Sequence, residues 1–280
     1  MILGLELFTM RARRLRGRLL PMGTLNGSAL VTLSRGETHT FNSSRFDVID
    51  ADKPIYTAGK LGPNTTGFDS GNMAWLPSSW SGKTFTFNAT RNDPQKLFVY
   101  PVQSGSIEVK KGGSPLVSSS LSAGSGVELS WSNLGTYQVQ STAEVLLFHY
   151  SAESGGVADP KPLLPNSKKL IGVPSRSARL SSELNGTNYK LIFSDSVEQT
   201  NSINNDDFIT IDGRGTKSLY QELSLLIDAS KKVSAASFAD SNGGCAAPFL
   251  PTSYLKNAYT INADSDYVAF SSLDSGVIKG

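Results

Sequence analysis

Ser106-Ile107-Glu108-Val109-Lys110 runs toward Gly112-Gly113, and its side chains alternate between polar and apolar. A period of two belongs to a strand with one buried face, and a glycine pair belongs to a tight hairpin turn. The same grammar extends outward in both directions. Ala29-Leu30-Val31-Thr32-Leu33 meets Ser34-Arg35-Gly36-Glu37 and then Thr38-His39-Thr40-Phe41. Tyr137-Gln138-Val139-Gln140 alternates, Val145-Leu146-Leu147-Phe148-His149-Tyr150 is apolar enough for a central strand, and Phe208-Ile209-Thr210-Ile211 precedes Asp212-Gly213-Arg214-Gly215. The one competitor for a helix is Ser218 to Ala229, and there Leu223, Leu225 and Ile227 again alternate, which predicts a strand. Proline and glycine punctuate the chain about every ten residues, the rhythm of sandwiches and barrels.

Composition agrees. The chain has 280 residues, room for one large domain or two to three small ones. Charged residues make up 18%, below the roughly 25% of an average domain, while 26 glycines and 40 serines fill the gap. A net charge of +2 supplies no global attraction for nucleic acid or an anionic membrane. The single cysteine, Cys245, forms no intrachain disulfide. Two histidines, His39 and His149, argue against a histidine-based zinc site. No apolar run reaches the length of a membrane-spanning helix. These sums favour a β-rich, non-enzymatic surface protein that needs no cofactor.

Internal repetition organises the rest. Trp75-Leu76-Pro77-Ser78-Ser79-Trp80 matches Gly172-Val173-Pro174-Ser175-Arg176 and Phe249-Leu250-Pro251-Thr252-Ser253-Tyr254: an apolar residue, a proline, then a hydroxyl residue. Each precedes a strand, respectively Thr84-Phe85-Thr86-Phe87-Asn88, Asn188-Tyr189-Lys190-Leu191-Ile192-Phe193 and Ala258-Tyr259-Thr260-Ile261-Asn262. A second element alternates with the first. Val48 to Tyr56, Val139 to Leu146 and Leu226 to Val233 each read as two strands joined by a tight polar turn, and each leads into a Gly-rich loop. The order is half unit, whole unit, whole unit, half unit. The expected fold is therefore all-β, with three pseudo-repeated antiparallel sandwich-like modules closed circularly by the chain ends. Its expected boundaries are residues 22–75 for the back half of the closing module plus a loop, 76–172 and 173–249 for two modules, and 250–280 for the closing front half.

Asp52-Lys53-Pro54-Ile55-Tyr56-Thr57-Ala58-Gly59, with its strand, Lys-Pro, strand, Gly pattern, resembles the IgGFc-binding-protein N-terminal repeat family. Leu76-Pro77-Ser78-Ser79-Trp80-Ser81-Gly82-Lys83-Thr84-Phe85 carries the same resemblance, which spans about residues 22–275. Members occur in mucus-associated, bacterial surface and phage proteins. The resemblance implies a β-rich adhesive or structural module without enzymatic activity. The animal members add cysteine-rich domains that this one-cysteine chain lacks, so Fc binding does not carry over.

Residues 1–21 are unlike the remainder. Met1 to Phe8 is apolar and precedes Arg11, Arg13, Arg14, Arg16 and Arg18, an order opposite to that of a secretory signal. With Glu6 the segment carries +4, leaving −2 for residues 22–280. Two readings stand side by side: a mis-assigned start, with Met22 the true one, or a basic arm that docks on an acidic neighbour in an assembly. Nucleic-acid contact ranks behind both, because no aromatic platform accompanies the arginines.

Candidate chemistry is sparse. No Gly-x-Ser-x-Gly elbow accompanies either histidine, which argues against a hydrolase triad. Asp50 with Asp52, Asp206 with Asp207, and Asp264 with Asp266 are carboxylate pairs in short loops, where aspartate favours turns by bonding its own backbone. Asn204, Asn205, Asp206, Asp207 and Asp212 form a weak calcium candidate, oxygen-rich but without EF-hand spacing. Asn26, Asn42, Asn64, Asn88 and Asn185 match the glycosylation sequon, as chance allows in so Ser/Thr-rich a chain. Trp75, Trp80, Trp131 and Tyr254 supply aromatic surface; Trp80, Trp131 and Tyr254 are the candidate glycan platform, although the equivalent repeat positions of Trp80 and Tyr254 favour core packing.

The expectation drawn from these features is a structural protein of a bacteriophage virion, in tail, neck or capsid decoration. Its partners would be other virion proteins and copies of itself, since low charge leaves strand edges open to pairing. The alternative is an adhesin that binds a host-surface glycan, extracellular or at a cell surface.

Overall fold

The computed structural model describes residues 6–12, 22–34, 37–43, 46–53, 55–61, 72–89, 94–151, 161–174, 177–212, 223–238, 246–256 and 271–274. Among these, the regular elements are β-strands and two 3-10 turns. The described residues up to Leu76 form one compact unit and those from Pro77 onward form a second.

The first unit contains β1 (Glu6–Ala12), β2 (Met22–Leu25), β3 (Ser28–Thr32), β4 (Thr38–Ser43), β5 (Ile49–Ala51), β6 (Ile55–Leu61) and β7 (Asn72–Ala74). They form two antiparallel sheets, β4-β1-β6-β7 and β3-β2-β5. Leu33 is buried among Leu30, Val31, Phe41, Ile49 and Ile55. Asn26 and Gly27 turn the β2–β3 hairpin with φ of 50° and 80°, the double left-handed conformation that an Asn-Gly pair adopts at least cost. The Asn26 side chain then ties the turn to the chain ahead of β5, donating to Asp47 Oδ1 at 2.7 Å and accepting from the Val48 N–H at 2.9 Å.

The second unit holds two seven-strand modules. The first comprises β8 (Gly82–Ala89), β9 (Gln95–Pro101), β10 (Gly105–Lys111), β11 (Ser114–Leu121), β12 (Val127–Trp131), β13 (Gly135–Ser151) and β14 (Lys161–Leu163). The second comprises β15 (Ser167–Gly172), β16 (Ser177–Ser182), β17 (Thr187–Phe193), β18 (Glu198–Ile203), β19 (Phe208–Asp212), β20 (Leu225–Phe238) and β21 (Ala246–Pro248), followed by the short β22 (Leu250–Pro251). Turns Ser78–Trp80 and Thr252–Tyr254 stand ahead of β8 and after β22, each entered from a proline in extended conformation or close to it, Pro77 or Pro251.

In both modules a long, bent strand is shared by two layers. The first half of β13 lies between β8 and β10, with β11 beyond β10; its second half lies between β9 and β14, with β12 beyond β9. β20 has the same neighbours in the same order: β15 and β17 with β18 beyond, then β16 and β21 with β19 beyond. Alternate residues of the two layers face inward. Phe85, Leu97, Val99, Ile107, Val109, Leu129, Tyr137, Val139, Val145 and Leu147 fill the first core, and Leu180, Leu191, Phe193, Ile211, Leu225, Ile227 and Val233 are prominent in the second.

The bend is the same irregularity in both copies. Residues 141–144 of β13 stand opposite Lys83 alone, because pairing jumps from Gln140↔Thr84 to Val145↔Gly82. Residues 229–232 of β20 stand opposite Lys168 alone, between Asp228↔Lys169 and Val233↔Ser167. Extra residues in one strand sharpen its twist and turn its direction. A hydroxyl stabilises each bend, since Thr142 Oγ1 accepts from the Ser106 N–H at 2.9 Å and Ser230 Oγ accepts from the Asn188 N–H at 3.0 Å. The backbone repeats too. Val102 N–H donates to the Glu144 carbonyl at 2.8 Å, as Glu183 N–H donates to that of Lys232 at 3.2 Å.

Three sequence expectations change here. The second element was expected as two strands around a polar turn, but in both whole modules it is one continuous strand of 17 or 14 residues. Its polar residues belong to a bulge that leaves the strand unbroken. In the first unit the two strands, β5 and β6, are separate, and proline 54, which lacks a backbone N–H, stands between them. The boundary expected between residues 172 and 173 shifts to the N-terminal side of Ser167, because β15 hydrogen-bonds to β20 and none of its pairing is with the first module. Finally, Arg11 belongs to β1, the strand between β4 and β6, opposite Thr38 and Tyr56, which incorporates residues 6–12 into a sheet. Arg13, Arg14, Arg16 and Arg18 lie outside the described residues, as do Cys245 and residues 257–270.

Candidate functional site

Among the described residues, a set of buried and part-buried polar contacts lies along the seam between the two seven-strand modules. Thr86 and Asn88 of β8, Thr136 and Gln138 of β13, and Asn166 just after β14 face Arg179 of β16 and Glu183. The period of β8 explains why: its odd residues Phe85 and Phe87 enter the core, so its even residues present hydroxyl and amide groups to the neighbouring module. Asn166 Nδ2 donates to Thr86 Oγ1 at 2.9 Å and to Glu183 Oε2 at 3.3 Å. Gln138 Nε2 donates to the Glu183 carbonyl at 3.3 Å.

Arg179 is the seam's largest polar group. Its guanidinium donates to Asn88 Oδ1 at 2.5 Å, and Asn88 Nδ2 in turn donates to Thr136 Oγ1 at 3.2 Å. The guanidinium also lies 4.8 Å from the centre of the Phe208 ring, a cation–π arrangement. Burial pulls its pKa below the usual arginine value. Asn88 is one of the five sequon asparagines, and its amide is committed to this chain of hydrogen bonds.

His149 sits at the edge of the same region, fully enclosed. Its Nε2 pairs with Gln95 Oε1 at 2.7 Å, and its ring lies 4.5 Å from that of Phe87. Burial, with a smaller contribution from Lys161, depresses its pKa to about 3. The imidazole is therefore neutral at pH 7, and an Nε2–H donor to Gln95 fixes its tautomer. A cavity of about 40 Å³ is lined by Thr86, Asn88, His149, Lys161, Arg179 and Ser181 among others. That is roughly the space of one water molecule.

The other candidates fall elsewhere. His39 is on β4, stacked on Phe41 with centroids 6.2 Å apart. Asp206 occupies a turn with φ of 66°, and Asp207 precedes β19 while Asp212 ends it, which puts roughly 16 Å between their backbones. The calcium candidates Asp206, Asp207 and Asp212 are thus not brought together, and among the described residues no cluster of three or more His, Cys, Asp or Glu is placed to hold a metal. Trp80 and Tyr254 stack face to face, 5.1 Å apart and 8° from parallel, so the first and third of the three Pro-hydroxyl stretches meet each other. Burial and the Glu144 charge raise the Tyr254 pKa. Trp131 tilts against Phe87 and Tyr137 at 6.2 and 5.3 Å and joins the rim of the first core.

Sequence reasoning singled out Asn88 only as a sequon and missed Asn166, Gln138 and Arg179. Their partners lie 80, 45 and 91 residues away, and no local pattern signals such pairs. The even positions of β8 carried the one legible hint, being polar on a strand whose odd face is aromatic.

No family model, curated protein or solved structure matches this chain.

Proposed function

We propose that the chain is a non-enzymatic structural protein of a bacteriophage virion, in tail, neck or capsid decoration, assembling through β-rich surfaces with other virion proteins and with copies of itself. The observation that supports this most is duplication joined by a polar seam. The same seven strands, bulge and bulge hydroxyl recur, and the buried polar side chains between the copies hydrogen-bond one module to the next. Such an arrangement serves rigid positioning, and it leaves strand edges for further contacts. Antibody labelling and peptide mass spectrometry of purified particles test it; the chain should be a stoichiometric component, and its absence from particles refutes the proposal.

The adhesin reading draws on one surface. Asn188, Lys190, Thr200, Ser202, Asp228 and Ser230 line an open groove across β17, β18 and β20, and hydroxyl, amide and carboxylate groups suit a polyhydroxylated ligand. Specific signals on a glycan array, abolished by Asn188→Ala with Asp228→Ala, would favour it over the architectural role.

Circular closure belongs to the same proposal. The order β4-β1-β6-β7 matches β12-β9-β13-β14, and β3-β2-β5 matches β11-β10-β13. What the first unit lacks, among the described residues, is a counterpart of β8 and β15. β5 has β2 on one side, whereas the matching halves of β13 and β20 are flanked on both. The closure reading assigns that strand to residues 258–262, which lie outside the described residues and follow the turn Thr252–Tyr254 in sequence as β8 follows Ser78–Trp80. Truncation after Asn257 should then accelerate amide exchange across residues 22–61 while sparing β8–β14. Unchanged protection of residues 22–61 would refute closure.

A further inference from the structure

The two modules carry equivalent outer strands, β11 and β18, and they differ in one instructive way. β11 contains Pro115, and its pairing with β10 breaks register between Val109 and Lys110. Proline and bulges are devices that stop an edge strand from recruiting another chain. β18 has neither. Its six residues pair with β17 in unbroken register, from Thr187↔Ile203 to Ile192↔Glu198, and residues 198–202 are all exposed.

The direction of its free backbone groups follows from the ladder. Phe193 N–H donates to the Val197 carbonyl at 3.0 Å, and antiparallel pairs alternate between bonded and non-bonded. Gln199, Asn201 and Ile203 therefore bond to β17, while Glu198, Thr200 and Ser202 turn their N–H and C=O groups outward. The Ser202 N–H is met by the neighbouring Asn201 Oδ1 at 2.8 Å, a contact that a strand partner would replace.

We propose that β18 is the interface for a second copy of this chain, paired antiparallel about a two-fold axis at Thr200. The occupant is read from the strand's own sequence, Val197-Glu198-Gln199-Thr200-Asn201-Ser202-Ile203. Reversed upon itself about Thr200, it sets valine opposite isoleucine, glutamate opposite serine, glutamine opposite asparagine, and threonine opposite threonine. Each pair matches apolar with apolar or polar with polar, and no like charges meet. Glu198 is meanwhile held by Lys190 at 2.6 Å. The three outward-facing residues of one copy meet those of the other as hydrogen-bonded pairs. An isologous contact of this kind closes at two copies, so larger particles would use other faces.

This inference rests on the reading of the chain as an assembling subunit and names one of its partners. The experiment is sedimentation equilibrium and light scattering on the full chain, compared with Thr200→Pro. Proline at 200 removes an outward N–H while leaving the bonds to β17 intact, so the fold should persist with unchanged circular dichroism. The wild type is expected at twice the monomer mass and Thr200→Pro at the monomer mass. A Thr200→Cys variant in a Cys245→Ala background should form an intermolecular disulfide across the axis under mild oxidation, since paired Cα atoms about 5.5 Å apart fall within disulfide range. A monomeric wild type, or a dimer that survives Thr200→Pro and gives no crosslink, overturns the proposal. Neither result bears on whether the chain is found in particles, so the two readings fail separately.

Discussion

His149 should make the second unit acid-labile well above the pH at which most carboxylates protonate. In the native state the imidazole is enclosed, bonded to Gln95 at 2.7 Å, packed on Phe87, and faced by Lys161 and the cavity that Arg179 also lines. Among the described residues, no carboxylate lines that cavity to stabilise an imidazolium. Its folded pKa is about 3, against 6.5 in an exposed histidine. Above pH 6.5 the ring is neutral in both folded and unfolded chains, and the site's stability is fully present. Below 6.5 the unfolded chain takes up a proton that the native state refuses, so stability falls with pH until about pH 3. Each pH unit in that window costs about 1.4 kcal/mol. By pH 4.5 the loss is about 2.7 kcal/mol, a large share of a total that is typically about 5–15 kcal/mol. For a unit of this size it amounts to roughly 5–10 °C in Tm. The assay is thermal or urea unfolding at pH 7.5, 6.5, 5.5 and 4.5, for wild type and His149→Gln. The variant keeps an amide donor for Gln95 but does not titrate, so its stability curve should be flatter by about 2–3 kcal/mol over that range. Parallel curves would show that His149 is not the titrating group and that the argument from enclosure is wrong.

Three further outcomes follow from the packing. Thr142→Ala and Ser230→Ala should each cost about 1 kcal/mol in urea unfolding, because each deprives a backbone N–H of the adjacent strand, that of Ser106 or of Asn188, of its hydroxyl acceptor in the bend; the effects should add, since the two sites share no partner, and no shift in midpoint would remove the hydroxyls from the account of the bend. Gly82→Ala should destabilise by about 1–3 kcal/mol, because its Cβ would stand 2.4 Å from Pro165 Cγ, in a ring that has little freedom to move; a neutral variant would mean that β8 and the residues after β14 are less closely packed. Arg179→Ala should cost about 1.5–3 kcal/mol by removing the charged donor to Asn88, and heteronuclear NMR should show the shift changes centred on β8 and β16, whereas changes confined to β16 would argue against a working seam.

Strand content was legible wherever period two was clean. β10 and β20 occur where alternation places them, and the strand reading of Leu223 to Ile227 over a helix is met by β20 from Leu225 onward. The equivalence of Pro77 with Pro251 was legible as well, and the structure adds that the aromatic residues three positions on stack together. The bend was misread for a physical reason. Ser141-Thr142-Ala143-Glu144 and Ala229-Ser230-Lys231-Lys232 have the polarity of turns, yet neither contains the glycine or proline that would reverse the chain. Polarity there reports one exposed face of a bulge. The seam was illegible because it is made of single polar residues spread over three strands and the loops beside them, each unremarkable in its own window.

The shared strand also sets an order of events during synthesis. β13 is the sixth strand of its module and the partner of β8, β9, β10 and β14, but it leaves the ribosome about fifty residues after β8 begins. At roughly 5–20 residues per second, several seconds separate the synthesis of β8, with its inward-facing Phe85 and Phe87, from that of its partner β13. β20 imposes the same wait on β15. Each nascent module therefore waits for one late strand, and until it arrives the apolar faces and unpaired edges of its partners are surfaces of the kind that favours aggregation.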